Sequence, residues 1–186
     1  KSPEDSLGCI HVHPEFRVEL VAAEPLVHDP VAVDFDENGR IFVVELPPYN
    51  AYAAQDFYET GTIRVLEDTD GDGQIDKSVV YVDDLQYPTA VACWDGGVFV
   101  ADAPDLLHCK DTDGDDKADV RNVVFTGFGR DKAGGAYLNS MRWGFDNRFH
   151  LSTNYSGGEV RAVANESSLP VSVRGRGFSF DPRRLA

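Results

Sequence analysis

Basic residues are scarce in this chain of 186 residues: 17 Lys and Arg stand against 32 Asp and Glu, for a formal charge of −15. That balance argues against a nucleic-acid surface, whose affinity comes from cationic side chains that release phosphate counterions. Bound cations are the more natural partners. Long hydrophobic runs are missing too. No stretch approaches the roughly 18 apolar residues that span a bilayer, so no membrane span is expected. Cysteine is limited to Cys9, Cys93 and Cys109, an odd number without the close CxxC pair of zinc or thiol-redox sites, and nothing in the pattern demands a disulfide. GxSxG, GxGxxG and P-loop motifs are absent, so nothing points to nucleophile-elbow, dinucleotide or P-loop chemistry. The chain starts at Lys1 with neither methionine nor hydrophobic leader, and is expected to be a processed product or a piece of a longer protein.

What the sequence does contain is a repeat. "VAVDFDENGRIFVVE" from Val31, "TAVACWDGGVFVADA" from Thr89, "NSMRWGFDNRFHLST" from Asn139 and "GRGFSFDP" from Gly175 each read as a strand running into an Asp-containing turn. In the first three a second strand follows. Further strand pairs, "TIRVLE" with "SVVYV" and "DLLHC" with "VRNVVF", lie between them. Val, Ile, Tyr and Phe fill these runs while Gly, Pro, Asn and Asp punctuate them, the signal for short antiparallel strands. No window shows helical periodicity. Two hairpins per unit, repeating at about 40–50 residues, match the propeller period. The expected fold is all-β: a partial β-propeller of about three four-stranded antiparallel blades, with a β-sandwich as the competing architecture.

This reading makes residues 1–30 a lead-in strand segment. Residues 31–186 then hold blades one (about Val31 to Asp84), two (Pro88 to Phe128) and three (Asn139 to about Val173), plus the first strand of a fourth. Three blades do not close a ring, so self-association or further blades are expected to cover the open faces.

Two loops, "DTDGDGQID" and "DTDGDDKAD", place carboxylates at alternate positions. Asp68, Asp70, Asp72, the Gln74 carbonyl and Asp76 occupy positions 1, 3, 5, 7 and 9 of a calcium loop, and Gly73 supplies the sharp turn. Asp111, Asp113, Asp115, the Lys117 carbonyl and Asp119 repeat the set, with Asp116 in place of the glycine. Val79 and Asn122 stand where an EF-hand needs its bidentate Glu, so these are hairpin loops for calcium. A solvated acidic turn is the plainer alternative, since Asp and Gly favour turns in any case. Loops of moderate affinity fill at the millimolar calcium found outside cells, which suggests a periplasmic or secreted protein.

"FRVELVAAEPLVHDPVAVDFDENGRIFVVE", "VLEDTDGDGQID", "MRWGFDNRFH" and "VRGRGFSFDP" together resemble the N-terminal propeller of large secreted bacterial proteins of the membrane-bound or sorbosone dehydrogenase type. Those often carry a C-terminal c-type cytochrome domain, and their propellers are similar to the sugar dehydrogenases that use pyrroloquinoline quinone. The resemblance implies a parent that oxidises a small-molecule sugar or alcohol and passes electrons to haem. It implies a quinone site on the face away from the aspartate loops, built partly by Glu45, Tyr49, Asn139, Arg142 and Asn154. It also exposes a departure: the family's base histidine, eight residues before the glycine that is Gly144 here, is replaced by Ala136. Glu45 and Asp102 are the other candidates for a base. A non-catalytic extracellular module that binds carbohydrate or protein is the alternative reading.

Overall fold

The computed structural model describes residues 1–47, 60–130, 137–153, 157–165, 167 and 169–185. Its one α-helix among these, α1 (Pro3–Leu7), departs from the expected lead-in strand. Ser2 accepts the Asp5 amide and the Asp5 carboxylate accepts that of Ser2, a capping box with Pro3 at the first turn. The rest of the lead-in, to residue 29, is irregular.

Sheet one is a meander of β1 (Pro30–Phe35), β2 (Ile41–Glu45), β3 (Gly61–Glu67) and β4 (Lys77–Leu85), paired in chain order and antiparallel throughout. Because side chains alternate across a strand, β2 serves two interfaces. Phe42 and Val44 pack with Ile63, Val65 and Tyr81 against sheet two, while Ile41 and Val43 turn to Val27 and Ala22 of the lead-in. On that second side Val31, Val33 and Phe35 of β1 remain exposed.

Sheet two repeats the meander with β5 (Pro88–Trp94), β6 (Gly97–Asp102), β7 (Asp105–Lys110) and β8 (Val120–Phe128). Its one face meets sheet one through Val91, Val98, Val100 and Leu107. Its other face, with Phe99 and Phe125, meets sheet three. This face-to-face stacking of small twisted meanders is a partial β-propeller.

The third unit is wired differently from the expected meander. β9 (Asn139–Trp143) pairs with β10 (Phe149–Ser152), but β11 (Gly158–Ala162) leaves to extend sheet two along β8, and β12 (Val171–Ser172) joins β11. β13 (Gly177–Phe180) then returns to β10. "GRGFSFDP" therefore supplies the third strand of sheet three, where sequence reading placed the opening strand of a fourth blade. Two contacts explain the detour. Gly127 and Gly158 adopt positive φ and sit so close that a Cβ on either would strike the other strand's backbone. The buried Thr153 hydroxyl lies 2.5 Å from the Val173 carbonyl and 2.6 Å from that of Arg176, pinning the returning chain to the end of β10. Phe178 and Phe180 then complete an aromatic cluster with Phe125, Phe128 and Phe149.

Candidate calcium loops and the opposite face

Each aspartate loop joins the third and fourth strands of its sheet, and its first carboxylate organises the turn. Asp68 accepts the amides of Gly71 (2.7 Å) and Gly73 (2.8 Å), and Asp111 those of Gly114 (2.7 Å), Asp116 (2.9 Å) and Asp113 (3.1 Å). Asp72 holds the Gln74 amide, and Asp115 holds that of Lys117. Bonds from Gly73 and from Gly114 head the causes that keep Asp68 and Asp111 below the usual carboxylate range. In consequence, carboxylate oxygens of Asp68, Asp70 and Asp72 gather within 4.8 Å of one another, and so do those of Asp111, Asp113 and Asp115. An all-oxygen, all-anionic donor set of this kind suits calcium.

The ninth positions are not in those clusters. Asp76 takes the Thr69 amide (3.1 Å) and hydroxyl (2.7 Å), and Asp119 takes the same two groups of Thr112, each at 2.8 Å. Both aspartates thus close the loop and fix the turn that carries the clustered carboxylates. Sequence reading missed the two threonines, although a Thr at the second position of both loops was the available signal.

Asp116 keeps the left-handed turn of its counterpart Gly73, at φ 62° against 89°, and adds a function. Its carboxylate lies 3.1 Å from Arg40 Nη1, in the β1–β2 turn, and 2.6 Å from Lys77 Nζ, at the start of β4. Arg40 also pairs with Asp36 and stacks over Phe42, and Lys77 reaches Glu67. Alongside, the Tyr81 hydroxyl accepts the Asp111 amide and its carbonyl accepts that of Ala118. Burial pushes the Tyr81 phenol up to about 12. Loop two is therefore a clamp between sheets. Among the described residues loop one makes no such bridge to a second sheet; its Ile75 packs with the lead-in cluster around Val27.

At the other end of the sheets, two buried carboxylates occupy equivalent strand ends. Glu45, 3% exposed, accepts the His28 amide (2.7 Å), Arg64 Nε (3.0 Å) and the Thr62 hydroxyl (2.8 Å). Asp102, 5% exposed, accepts the amides of Gln86 (3.0 Å) and Tyr87 (2.6 Å), and burial raises its pKa despite those bonds. Each pins the chain just before the proline that opens its sheet, Pro30 or Pro88. Glu45 is thus held by protein donors. Asn139 accepts the amide of its own neighbour Ser140. Arg142 donates to the Met141 carbonyl and lines a cleft of about 340 Å³ with Asp34, Cys93, Trp94 and Trp143, the two indoles stacked at 5.1 Å. No hydrogen bond among the described residues joins Glu45, Asn139 and Arg142. Tyr49, Ala136 and Asn154 lie outside the described residues. Burial, reinforced by Asp34, pushes the Cys93 thiol far up, which makes it a poor nucleophile. No helix among the described residues is long and apolar enough to cross a membrane.

A family model described as a domain of unknown function (DUF7133) matches residues 2–186, and the chain belongs to that family. No curated protein matches the sequence. Among solved structures, the chain is similar to the holo form of the pyranose dehydrogenase PQQ domain from Coprinopsis cinerea, with a TM-score of 0.60 and 15% identity over 88% of this chain and 42% of that one. It is also similar to a calcium structure of a Trichoderma reesei carbohydrate-active enzyme of family AA12, with a TM-score of 0.50 and 12% identity over 80% of this chain and 38% of that one. The shared fold is that of the quinone-domain propellers, of which the chain spans about two-fifths.

Proposed function

We propose that this chain is a calcium-stabilised part of a secreted or periplasmic, quinoprotein-like sugar or alcohol dehydrogenase, and that it is not catalytic by itself. The observation that carries the calcium role is the repetition of one hydrogen-bonded aspartate loop in both four-stranded meanders, β1–β4 and β5–β8, of a quinone-domain fold. Asp68, Asp70 and Asp72 would hold one ion and Asp111, Asp113 and Asp115 the other, with the Gln74 and Lys117 carbonyls nearby in the loop. Bound calcium supplies positive charge that offsets carboxylate repulsion and fixes the hairpins. Asp76 and Asp119 keep the loops shaped for it.

The described residues do not fit a quinone site. Glu45 is occupied by three protein donors, and among the described residues no hydrogen bond links Asn139 to Arg142, each bonding a neighbouring backbone group instead. No redox step is assigned to them. Substrate oxidation belongs to an assembly in which further blades, and a haem domain that accepts electrons, complete the face opposite the calcium loops. A second reading, an extracellular module that binds carbohydrate or protein without catalysis, gains support from the engagement of both Glu45 and Asp102. Dye reduction by the parent protein, loaded with calcium and quinone and offered glucose and a panel of alcohols, separates the two. Turnover supports the dehydrogenase, and sugar binding without turnover supports the module.

A further inference from the structure

Loop two belongs to sheet two, yet both of its ends are held from sheet one by a single residue. Tyr81 lies in β4, the outer strand of sheet one, and is 3% exposed. Its hydroxyl accepts the amide of Asp111, where the loop begins, at 2.9 Å, and its carbonyl accepts that of Ala118, next to Asp119, at 2.8 Å. The ring stands edge-on to Phe42 at 5.0 Å, inside the apolar cluster that joins the two sheets, so the hydroxyl has a fixed position. Arg121, near the start of β8, donates to the carbonyls of Asp83 and Asp84, at 2.9 and 3.1 Å. Carbonyls of Tyr81, Asp83 and Asp84 along β4 are thus taken by groups of loop two and β8.

The bonds to Tyr81 bear on the ion site because of where they fall. The Asp111 carboxylate gathers the turn by accepting the amides of Asp113, Gly114 and Asp116, and it is one of the three clustered carboxylates. Those like charges oppose the turn until a cation arrives. A fixed hydroxyl on the Asp111 amide and a fixed carbonyl beside Asp119 keep a larger fraction of the loop in the form that takes the ion, and apparent affinity scales with that fraction. Asp68, the counterpart of Asp111, bonds Gly71 and Gly73 inside its own loop, and among the described residues no side chain of another sheet reaches its amide.

We propose that Tyr81 is a positioning residue of the second calcium site, so that the ion in loop two also fastens sheet one to sheet two. The inference rests on the calcium reading of the loops. Tyr81 acts through the Asp111 amide and not as a ligand. A residue of one sheet then sets the affinity of a site in the next, and by linkage the ion tightens the docking of the sheets by the same factor that docking tightens the ion.

Single-site proteins separate the effects: Asp70→Ala isolates the second site and Asp113→Ala the first. Tyr81→Phe removes one oxygen and keeps the ring. In calorimetric titration with calcium it should raise the Kd of the Asp70→Ala protein about three- to tenfold, the loss expected of one hydrogen bond, and leave that of the Asp113→Ala protein unchanged. Hydrogen exchange in the Asp70→Ala protein with Tyr81 intact gives a readout that packing alone would not move. Saturating calcium should slow the amides of residues 79–83, in sheet one, about three- to tenfold, and Tyr81→Phe should diminish that protection. Equal affinity with and without the hydroxyl, weakening of both sites alike, or protection confined to β7, β8 and the loop between them overturns the proposal. Failure of the wild type to bind calcium ends the reading of the loops and this inference together, whereas two filled sites indifferent to Tyr81→Phe end the inference alone.

Discussion

Asp116 Oδ2 lies 2.6 Å from Lys77 Nζ, joining the second aspartate loop to the first sheet. Asp116, which stands where the first loop has Gly73, is the group that couples the second loop to its neighbour. The pairing with Arg40 on the same carboxylate makes Asp116 the hinge pin of a network running from Asp36 to Glu67.

Asp116→Asn should therefore lower the melting temperature while leaving calcium binding intact. Asn tolerates the left-handed turn, so the loss falls on the two ion pairs, which are partly exposed and of modest worth. A drop of about 2–4 °C is expected for a chain of this size. Unchanged melting, with and without calcium, would show that the network contributes nothing of its own.

Calcium should bind both loops and raise thermal stability. Two ions change the formal charge from −15 to −11, and at a hundredfold excess over Kd each site contributes about 2.7 kcal/mol. Asp70→Ala and Asp113→Ala should each abolish one site in a calorimetric titration, because their carboxylates belong to the clusters. Asp76→Ala should weaken the first site less, since Asp76 acts through Thr69. Titration of chelated protein that gives neither heat nor a shift in melting temperature would remove the claim.

The first two units were legible in the sequence because alternation, turn residues and a tight Asp turn all coincide there. The third was not. β11 reads GEVRA, with Val160 as its one fully buried residue, and β12 has two residues, so neither carries enough alternation to declare its partner. Their place is set by the close approach of Gly127 to Gly158 and by Thr153, contacts across the chain that no local pattern encodes. The two aspartate turns and the alternate spacing of their clustered carboxylates were legible in the sequence, but the bonds that tie Asp76 to Thr69 and Asp119 to Thr112 were not. Glu45 was a site candidate through the family resemblance, which carries no information on its partners in this chain. Its donors come from His28, Thr62 and Arg64 on other segments.

Acid should destabilise the chain partly through Asp111, with a sign fixed by linkage. Its folded pKa is lowered, so the stability it contributes is complete above the unfolded Asp value of about 3.9 and is lost as pH falls through the lower folded value. Denaturant melts of the calcium-free protein should show Asp111→Asn with a shallower loss of stability than wild type below about pH 4. Parallel curves would mean that the carboxylate is not held by the Gly114, Asp116 and Asp113 amides in solution.

Asp102 has the opposite sign. Burial raises its pKa, so protonation favours the folded state, and the penalty for its charge is relieved as pH falls through the folded value. Asp102→Ala should nevertheless destabilise at neutral pH, by about 2–4 kcal/mol, because the Gln86 and Tyr87 amides lose their acceptor. Asp102→Asn, which keeps one acceptor oxygen, should lose less. Equal losses in urea melts would show that the two amides find other partners.

The isolated chain should show no quinone-dependent oxidation of sugars or alcohols, even with calcium and added cofactor. An enclosed site near a propeller axis draws walls from all blades, and this chain spans 42% of the length of a quinone-domain neighbour. Displacements of about 1 Å already cost roughly a hundredfold in rate. Proton removal poses a separate obstacle. Ala136 stands where the resembling family has its base, and loss of a general base costs about 10²–10⁴-fold. Glu45 and Asp102 do not replace it, since both are buried and hold backbone amides. Dye reduction with glucose and a panel of alcohols should therefore stay at background for the wild type and for Ala136→His alike, because the added imidazole still lacks the remaining walls. Robust turnover by the wild-type chain would overturn both arguments. Turnover by Ala136→His alone would overturn the need for further blades, while confirming that the missing histidine limits the reaction.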